Sequence, residues 1–65
     1  MYLNKKKIDI LLVRRGMNAT QLAELANLSR ATVSCIMNGK SCTAKTIVQL
    51  ATVLDVEPEE ILEED

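Results

Sequence analysis

The chain has 65 residues and a mass of 7.2 kDa, enough for one small domain, and 48% of its residues are hydrophobic, which is a globular composition. It contains no histidine, so a Ser-His or Cys-His catalytic pair is impossible, and its two cysteines cannot complete a four-ligand zinc site. The formal net charge of −1 argues, at face value, against a nucleic-acid partner.

Helical periodicity begins near the start of the chain. Apolar residues at Ile8, Leu11 and Leu12 predict a first helix that runs to about Arg15. Gly16 then ends it as a C-cap residue. The lysine run at residues 5–7 is interpreted as a frayed, soluble start rather than a specific contact, with a DNA-reaching arm as the alternative.

A second helix is predicted to follow at once. Asn18 is its N-cap, and Gln21, three residues later, completes a capping-box pattern. The helix buries Leu22 and nearby alanines, and it is short because Asn27 tolerates the left-handed conformation that turns the chain.

Three further helices are predicted in the second half. Ser29 caps the third, which ends at Asn38-Gly39, and Thr43 caps the fourth. The fourth helix has an apolar stripe at i, i+3, i+4 and i+7, formed by Ile47, Leu50, Ala51 and Leu54. Pro58 fits the first position of a last short helix that holds Ile61 and Leu62. No segment shows the alternation of a strand, so the domain is predicted to be all-α.

The charges are segregated along the chain. Residues 1–45 carry eight basic and two acidic side chains, a net charge of +6, whereas residues 46–65 carry seven acidic side chains and no basic one, a net charge of −7. The basic part could therefore meet a polyanion while the acidic end faces away. The alternative interpretation is a solvated surface with unevenly placed charges.

Residues 19–38 read ATQLAELANLSRATVSCIMN, the pattern of a helix, a tight turn and a second helix. This segment resembles the helix-turn-helix of the phage repressor and Cro family, also called the xenobiotic-response-element family. The resemblance extends from about Ile8 to Leu62 and includes Gly16-Met17, Asn38-Gly39-Lys40 and the stretch TIVQLATVLDVEPEEIL at residues 46–62. It implies a compact five-helix bundle, a lambda-repressor-like DNA-binding domain spanning residues 1–65, with a scaffold helix at 19–26 and a recognition helix at 30–37.

The resemblance also implies which residues contact duplex DNA. The recognition helix would lie in the major groove with its base-contacting residues at Arg30, Ala31, Ser34 and Cys35. Phosphate contacts are expected from the flanking polar residues Ser29, Thr32, Asn38, Lys40, Ser41 and Lys45. Arg30 has the strongest readout chemistry, because a guanidinium can bond O6 and N7 of one guanine together.

Three positions depart from the family's pattern. The first residue of the scaffold helix, commonly a glutamine that contacts phosphate, is Ala19, and the turn glycine is replaced by Asn27. A frequent arginine–glutamate pair between the first helix and the recognition helix is replaced by Leu12 and Met37. Because both partners are apolar, no unpaired buried charge remains.

The leading hypothesis is a sequence-specific transcriptional regulator that binds double-stranded DNA, acting as a repressor by occluding a promoter. Family members usually bind twofold-symmetric sites as dimers, with the dimer face here expected around residues 53–62, in the acidic segment. The alternative is a protein-interaction module, antitoxin-like or anti-repressor-like, with weak or no DNA binding.

Other functions are given less weight. An enzyme is disfavoured because the clustered carboxylates Glu57, Glu59 and Glu60 are adjacent and solvated. Cys35 as a redox sensor is a further hypothesis. No signal peptide or membrane span is visible, which predicts a cytoplasmic protein with reduced Cys35 and Cys42. No cofactor, metal or small-molecule substrate is expected.

Overall fold

Four α-helices and one 3₁₀ turn make up the fold in the computed structural model, which describes residues 1–63. The helices are α1 (Lys5–Arg14), α2 (Ala19–Leu25), α3 (Arg30–Met37) and α4 (Ala44–Leu54), and the 3₁₀ turn is Pro58–Ile61. The all-α prediction is confirmed. The predicted count of five helices is wrong by one, because the last element is a single turn of 3₁₀ geometry. Glu64 and Asp65, counted in the acidic end, lie outside the described residues.

Each α-helix begins with the same local pattern. A polar N-cap side chain accepts a hydrogen bond from the backbone N–H three residues later; the four caps are Asn4, Asn18, Ser29 and Thr43. An apolar residue directly precedes each cap, and a buried residue stands five positions after that apolar residue. The pairs are Leu3 with Ile8, Met17 with Leu22, Leu28 with Val33, and Cys42 with Ile47. This is the spacing of the hydrophobic staple, which fixes the angle at which the chain enters a helix. The predicted caps at Asn18, Ser29 and Thr43 are confirmed, as is the capping box with Gln21.

The chain leaves its helices through residues with positive φ. Gly16 (φ 60°), Asn27 (φ 58°) and Gly39 (φ 103°) take the left-handed conformations that the sequence predicts, and Asp55 (φ 56°) does the same after α4. Asn and Asp reach this region at lower cost than other non-glycine residues. The tight turn between α2 and α3 therefore forms without glycine.

The core lies where the apolar stripes of the helices meet. Its largest fully buried side chains are Ile8, Leu22, Val33, Ile47, Leu50, Leu54 and Ile61. α2 packs against α3 and α4, and the 3₁₀ turn packs against α1 and α4. Burying one such side chain contributes about 1.5–3 kcal/mol. No polar side chain is buried within residues 1–63, and no helix there is long and apolar enough to cross a membrane.

Four apolar helix residues that stand outside the predicted stripes are exposed. Val13 is 80% exposed, and Ile10, Leu25 and Val48 are all more than half exposed. Leu12 is buried and Met37 packs partly buried against the core, so the apolar replacement of the family's ion pair lies in apolar surroundings.

The N-terminal residues are ordered by the rest of the chain. Leu3 is buried, and Leu3 and Leu62 form an isolated antiparallel bridge. The Asn4 N–H donates to the Ile61 carbonyl at 2.8 Å, and the Asn4 side chain caps α1. The interpretation of residues 5–7 as a frayed start is therefore wrong, because these lysines form the capped first turn of α1.

Candidate nucleic-acid interface

The residues predicted to contact DNA lie on α3 and on the segment that follows it. All ten are exposed: Ser29, Arg30, Ala31, Thr32, Ser34, Cys35, Asn38, Lys40, Ser41 and Lys45. The opposite stripe of α3, with Val33 and Ile36, is buried against the core. α3 is thus held by one face while the other is presented to solvent. We call Ser29, α3 and residues 38–45 together the recognition side.

The recognition side is positively charged and its cations are unpaired. No acidic residue occurs between Glu24 and Asp55, whereas Arg30, Lys40 and Lys45 fall inside that stretch. The ion pair found within residues 1–63 joins Lys5 to Asp9, at 3.9 Å on α1. Arg30, Lys40 and Lys45 therefore have no ion-pair partner in the part of the chain that the structure describes. Their charges are available to an external anion.

A shallow groove of about 340 Å³ joins α3 to the segment after it. Five of the ten predicted residues line it, namely Ala31, Thr32, Cys35, Lys40 and Ser41. The fold thus brings two stretches of the sequence into one continuous surface. Arg30, Ser34, Asn38, Lys45 and Ser29 lie outside the groove lining.

Ser29 and Thr32 form a coupled hydroxyl pair at the start of α3. The Ser29 Oγ accepts from the Thr32 backbone N–H at 3.0 Å and lies 2.6 Å from the Thr32 Oγ1. One of the two hydroxyl hydrogens is used within this pair, since a hydroxyl carries a single O–H donor. The other stays available to donate to a phosphate oxygen. Ser29 is thus the N-cap that the sequence predicts, with at most one free donor shared between the two residues.

Asn38 is committed to ending α3. Its Nδ2 donates to the Ser34 carbonyl at 2.7 Å, and its backbone N–H donates to the same carbonyl at 3.0 Å. This C-capping bond uses one of the two N–H donors of the side-chain amide and fixes the direction in which the other can donate. Lys40, with its free ammonium, is the stronger of the two as an anion ligand.

The two cysteines differ in exposure. Both are free thiols; Cys35 is exposed on α3, whereas Cys42 is half-buried. Burial raises the pKa of the Cys42 thiol above its usual range. The Cys42 Sγ lies 3.6 Å from the Met1 carbonyl oxygen, to which its S–H donates.

Charge segregation along the sequence does not become a simple separation in space. The 3₁₀ turn, with its exposed Glu59 and Glu60, packs against the lysine-rich α1, and Lys7 and Glu60 line one groove. We call α1 with the 3₁₀ turn the α1–turn side. On this side Lys5 pairs with Asp9 and Lys7 shares a groove with Glu60, whereas the recognition side has no acidic residue of its own.

Sequence reasoning missed the N-terminal neighbour of the recognition side. The Cys42 backbone N–H donates to the Met1 carbonyl at 2.8 Å, and Thr43 and Thr46 line the groove beside it. The staple spacing of Leu3 and Ile8 around the Asn4 cap was the signal that could have found the ordered N-terminus.

The chain is similar to a DNA-binding domain family, to a transcriptional regulator and to a controller protein of known structure. A sequence model of the Cro/C1-type HTH DNA-binding domain matches residues 7–64. An uncharacterized HTH-type transcriptional regulator of Bacillus subtilis strain 168, YozG, is 33% identical over 58 residues, which are 86% of this chain and 69% of that protein. The crystal structure of the restriction-modification controller protein C.AhdI from Aeromonas hydrophila superposes with a TM-score of 0.78 at 32% identity, covering 86% of each chain.

Proposed function

The chain belongs to the Cro/C1-type helix-turn-helix DNA-binding family and is a DNA-binding transcriptional regulator rather than an enzyme, and we propose that it reads a specific duplex sequence with α3 in the major groove. The observation that carries the proposal is the exposure and the unpaired positive charge of the recognition side. Its ten candidate residues are exposed, and its three cations have no ion-pair partner within residues 1–63.

Base reading is proposed to centre on Arg30. This residue stands at the first position of α3, the end of a recognition helix that contacts base edges. Its unpaired guanidinium can bond O6 and N7 of one guanine. Ala31 offers an apolar contact suited to a thymine methyl, and Ser34 and Cys35 offer short polar or apolar contacts one turn on.

Phosphate binding is proposed to hold α3 in register. Lys40, Ser41 and Lys45 follow α3, and Thr32 can supply the spare hydroxyl of its pair with Ser29. Asn38 can contribute the second N–H of its side-chain amide while the first stays bonded to the Ser34 carbonyl. Such contacts position the protein and carry no sequence information themselves.

We further propose that two copies bind a twofold-symmetric site and repress by occluding a promoter. A single domain of this size makes fewer contacts than tight specific binding requires. The expected dimer segment at residues 53–62 has its apolar residues buried or half-buried in the core, and exposes Asp55, Glu57, Glu59 and Glu60. A dimer formed through it would bring like charges together, so its stability should increase with salt.

The test is selection of bound duplexes from a random pool, followed by titration of the selected and a scrambled duplex at several salt concentrations. The proposal predicts an enriched palindrome, a clear preference over the scrambled duplex, and affinity that falls steeply with salt. No binding to any duplex at low salt would contradict it. That outcome would favour the protein-interaction module, for which the acidic 3₁₀ turn is the matching surface.

A further inference from the structure

The first four residues cross from one end of the fold to the recognition side, and we call Met1–Asn4 the N-terminal strap. Two of its members are fixed independently of any DNA-side contact. Leu3 is 5% exposed within the core, and the Asn4 N–H donates to the Ile61 carbonyl at 2.8 Å. The Tyr2 carbonyl accepts from the Glu63 N–H at 2.8 Å. The strap is therefore anchored to the 3₁₀ turn and its following residues.

Met1, at the other end of the N-terminal strap, holds the segment between α3 and α4. The Met1 carbonyl accepts both the backbone N–H of Cys42, at 2.8 Å, and its thiol, at 3.6 Å. Cys42 directly precedes Thr43, the N-cap of α4, and follows Lys40 and Ser41. One backbone acceptor thus fixes the residue that links the candidate phosphate ligands to α4.

This support matters because the segment after α3 is held by hydrogen bonds at its two ends and by the packing of Cys42 against the core. At the first end, the Lys40 N–H donates to the Cys35 carbonyl at 3.1 Å. At the second end, the Met1 carbonyl holds Cys42. Ser41 lies between the two anchors and is exposed.

We propose that the N-terminal strap is a positioning element for DNA binding, which acts through Cys42 to hold Lys40 and Ser41 against phosphate. The inference rests on the proposed function, because it assigns these two residues to DNA. The strap itself need not touch the duplex. A pre-ordered segment binds phosphate without the loss of freedom that a loose one would suffer.

The test compares the full chain with a chain that begins at Leu3, released by a protease from an N-terminal fusion. This truncation removes the Met1 and Tyr2 carbonyls but keeps the buried Leu3 and the Asn4 cap. The matched control is Tyr2→Ala, which removes an exposed side chain and leaves every strap carbonyl in place. Thermal unfolding monitored by circular dichroism sets conditions in which all chains are folded.

The decisive readout is a double-mutant cycle with Lys40→Ala on the selected and the scrambled duplex. If the strap acts through this segment, truncation weakens both duplexes alike, and Lys40→Ala costs at least about twofold less affinity in the truncated chain than in the full chain. Tyr2→Ala leaves the cost of Lys40→Ala unchanged. Additive losses would overturn the inference, since a general loss of stability does not couple to one lysine.

Amide hydrogen exchange without DNA separates this inference from the function on which it rests. Truncation is expected to speed exchange at Cys42 and leave the core of α4 protected. Unchanged exchange at Cys42 overturns the strap's role even in a chain that binds DNA. If truncation speeds exchange at Cys42 but the full-length protein binds no duplex, the proposed function is overturned, and the DNA-positioning role with it.

Discussion

The recognition side and the α1–turn side use similar residues in opposite ways. Both carry lysines, but Lys5 of α1 pairs with Asp9 and Lys7 shares a groove with Glu60, whereas Arg30, Lys40 and Lys45 have no acidic partner within residues 1–63. The apolar residues also differ in role. Ile61 on the α1–turn side is fully buried, whereas Ala31 and Cys35 line an open groove. Both sides contribute buried residues to the core, but the outer face of α3 is left free to bind.

Ile61→Ala should have the largest effect, and on stability alone. Ile61 is completely buried between the helices, so truncation should cost about 2–5 kcal/mol of unfolding free energy. The matched control is Ile10→Ala on the same side, where the side chain is 55% exposed and the cost should stay below about 0.5 kcal/mol. Urea unfolding measures both. If the folded Ile61→Ala variant ranked duplexes in a different order, the α1–turn side would also contribute to sequence preference, which contradicts the comparison.

Arg30→Ala should weaken DNA binding and leave stability nearly unchanged, the opposite of the result expected for Ile61→Ala. The side chain is exposed at the start of α3 and alanine is a good helix former, so the urea midpoint should hardly move. Affinity for the selected duplex should fall by about 1–3 kcal/mol, with relaxed preference at one base pair. Fluorescence anisotropy on duplexes varied one position at a time gives the answer. An equal loss on selected and scrambled duplexes would remove Arg30 as a base reader.

Ser29 separates the two roles within one residue. Ser29→Ala removes the cap that accepts the Thr32 N–H, which should cost about 1 kcal/mol of stability. Ser29→Asp keeps an N-cap acceptor and should retain stability, but its negative charge should repel phosphate and weaken DNA binding. Chemical unfolding and anisotropy are measured on both variants. Undiminished DNA affinity in Ser29→Asp would place this residue away from the backbone of the duplex.

Lys40→Ala should have the smallest effect, and one that is equal across sequences. Losing one phosphate contact lowers affinity for all duplexes and reduces the slope of log affinity against log salt by about 1. Lys6→Ala is the matched control, because it removes the same charge from the exposed first turn of α1. A salt slope reduced equally by both substitutions would mean that α1 also lies on DNA.

Much of the fold could be predicted because its signals are local. The caps at Asn18, Ser29 and Thr43 and the positive φ of Asn27 each depend on a few neighbouring residues. The 3₁₀ geometry of residues 58–61 could not be predicted, since the proline signal marks a helix start without fixing its length. The order of the N-terminus depends on contacts with Cys42, Ile61 and Glu63, which lie far away in the sequence.

The candidate site was predictable in its residues and less so in its bonding. Exposure of the outer face of α3 follows from the buried stripe of Val33 and Ile36. The commitment of Asn38 to the Ser34 carbonyl depends on a side-chain rotamer, which sequence spacing does not specify. The same holds for the packing of α1 against acidic residues, because net charge along the chain carries no information on which elements meet in space.

An NMR titration of the isotope-labelled protein with the selected duplex tests the central comparison most directly, because every backbone amide reports at once. The predicted result is that shifts concentrate in residues 29–45 and leave residues 5–14 of α1 unperturbed. Shifts centred on the 3₁₀ turn and α1, with α3 unaffected, would contradict the assignment of the recognition side as the DNA-binding surface.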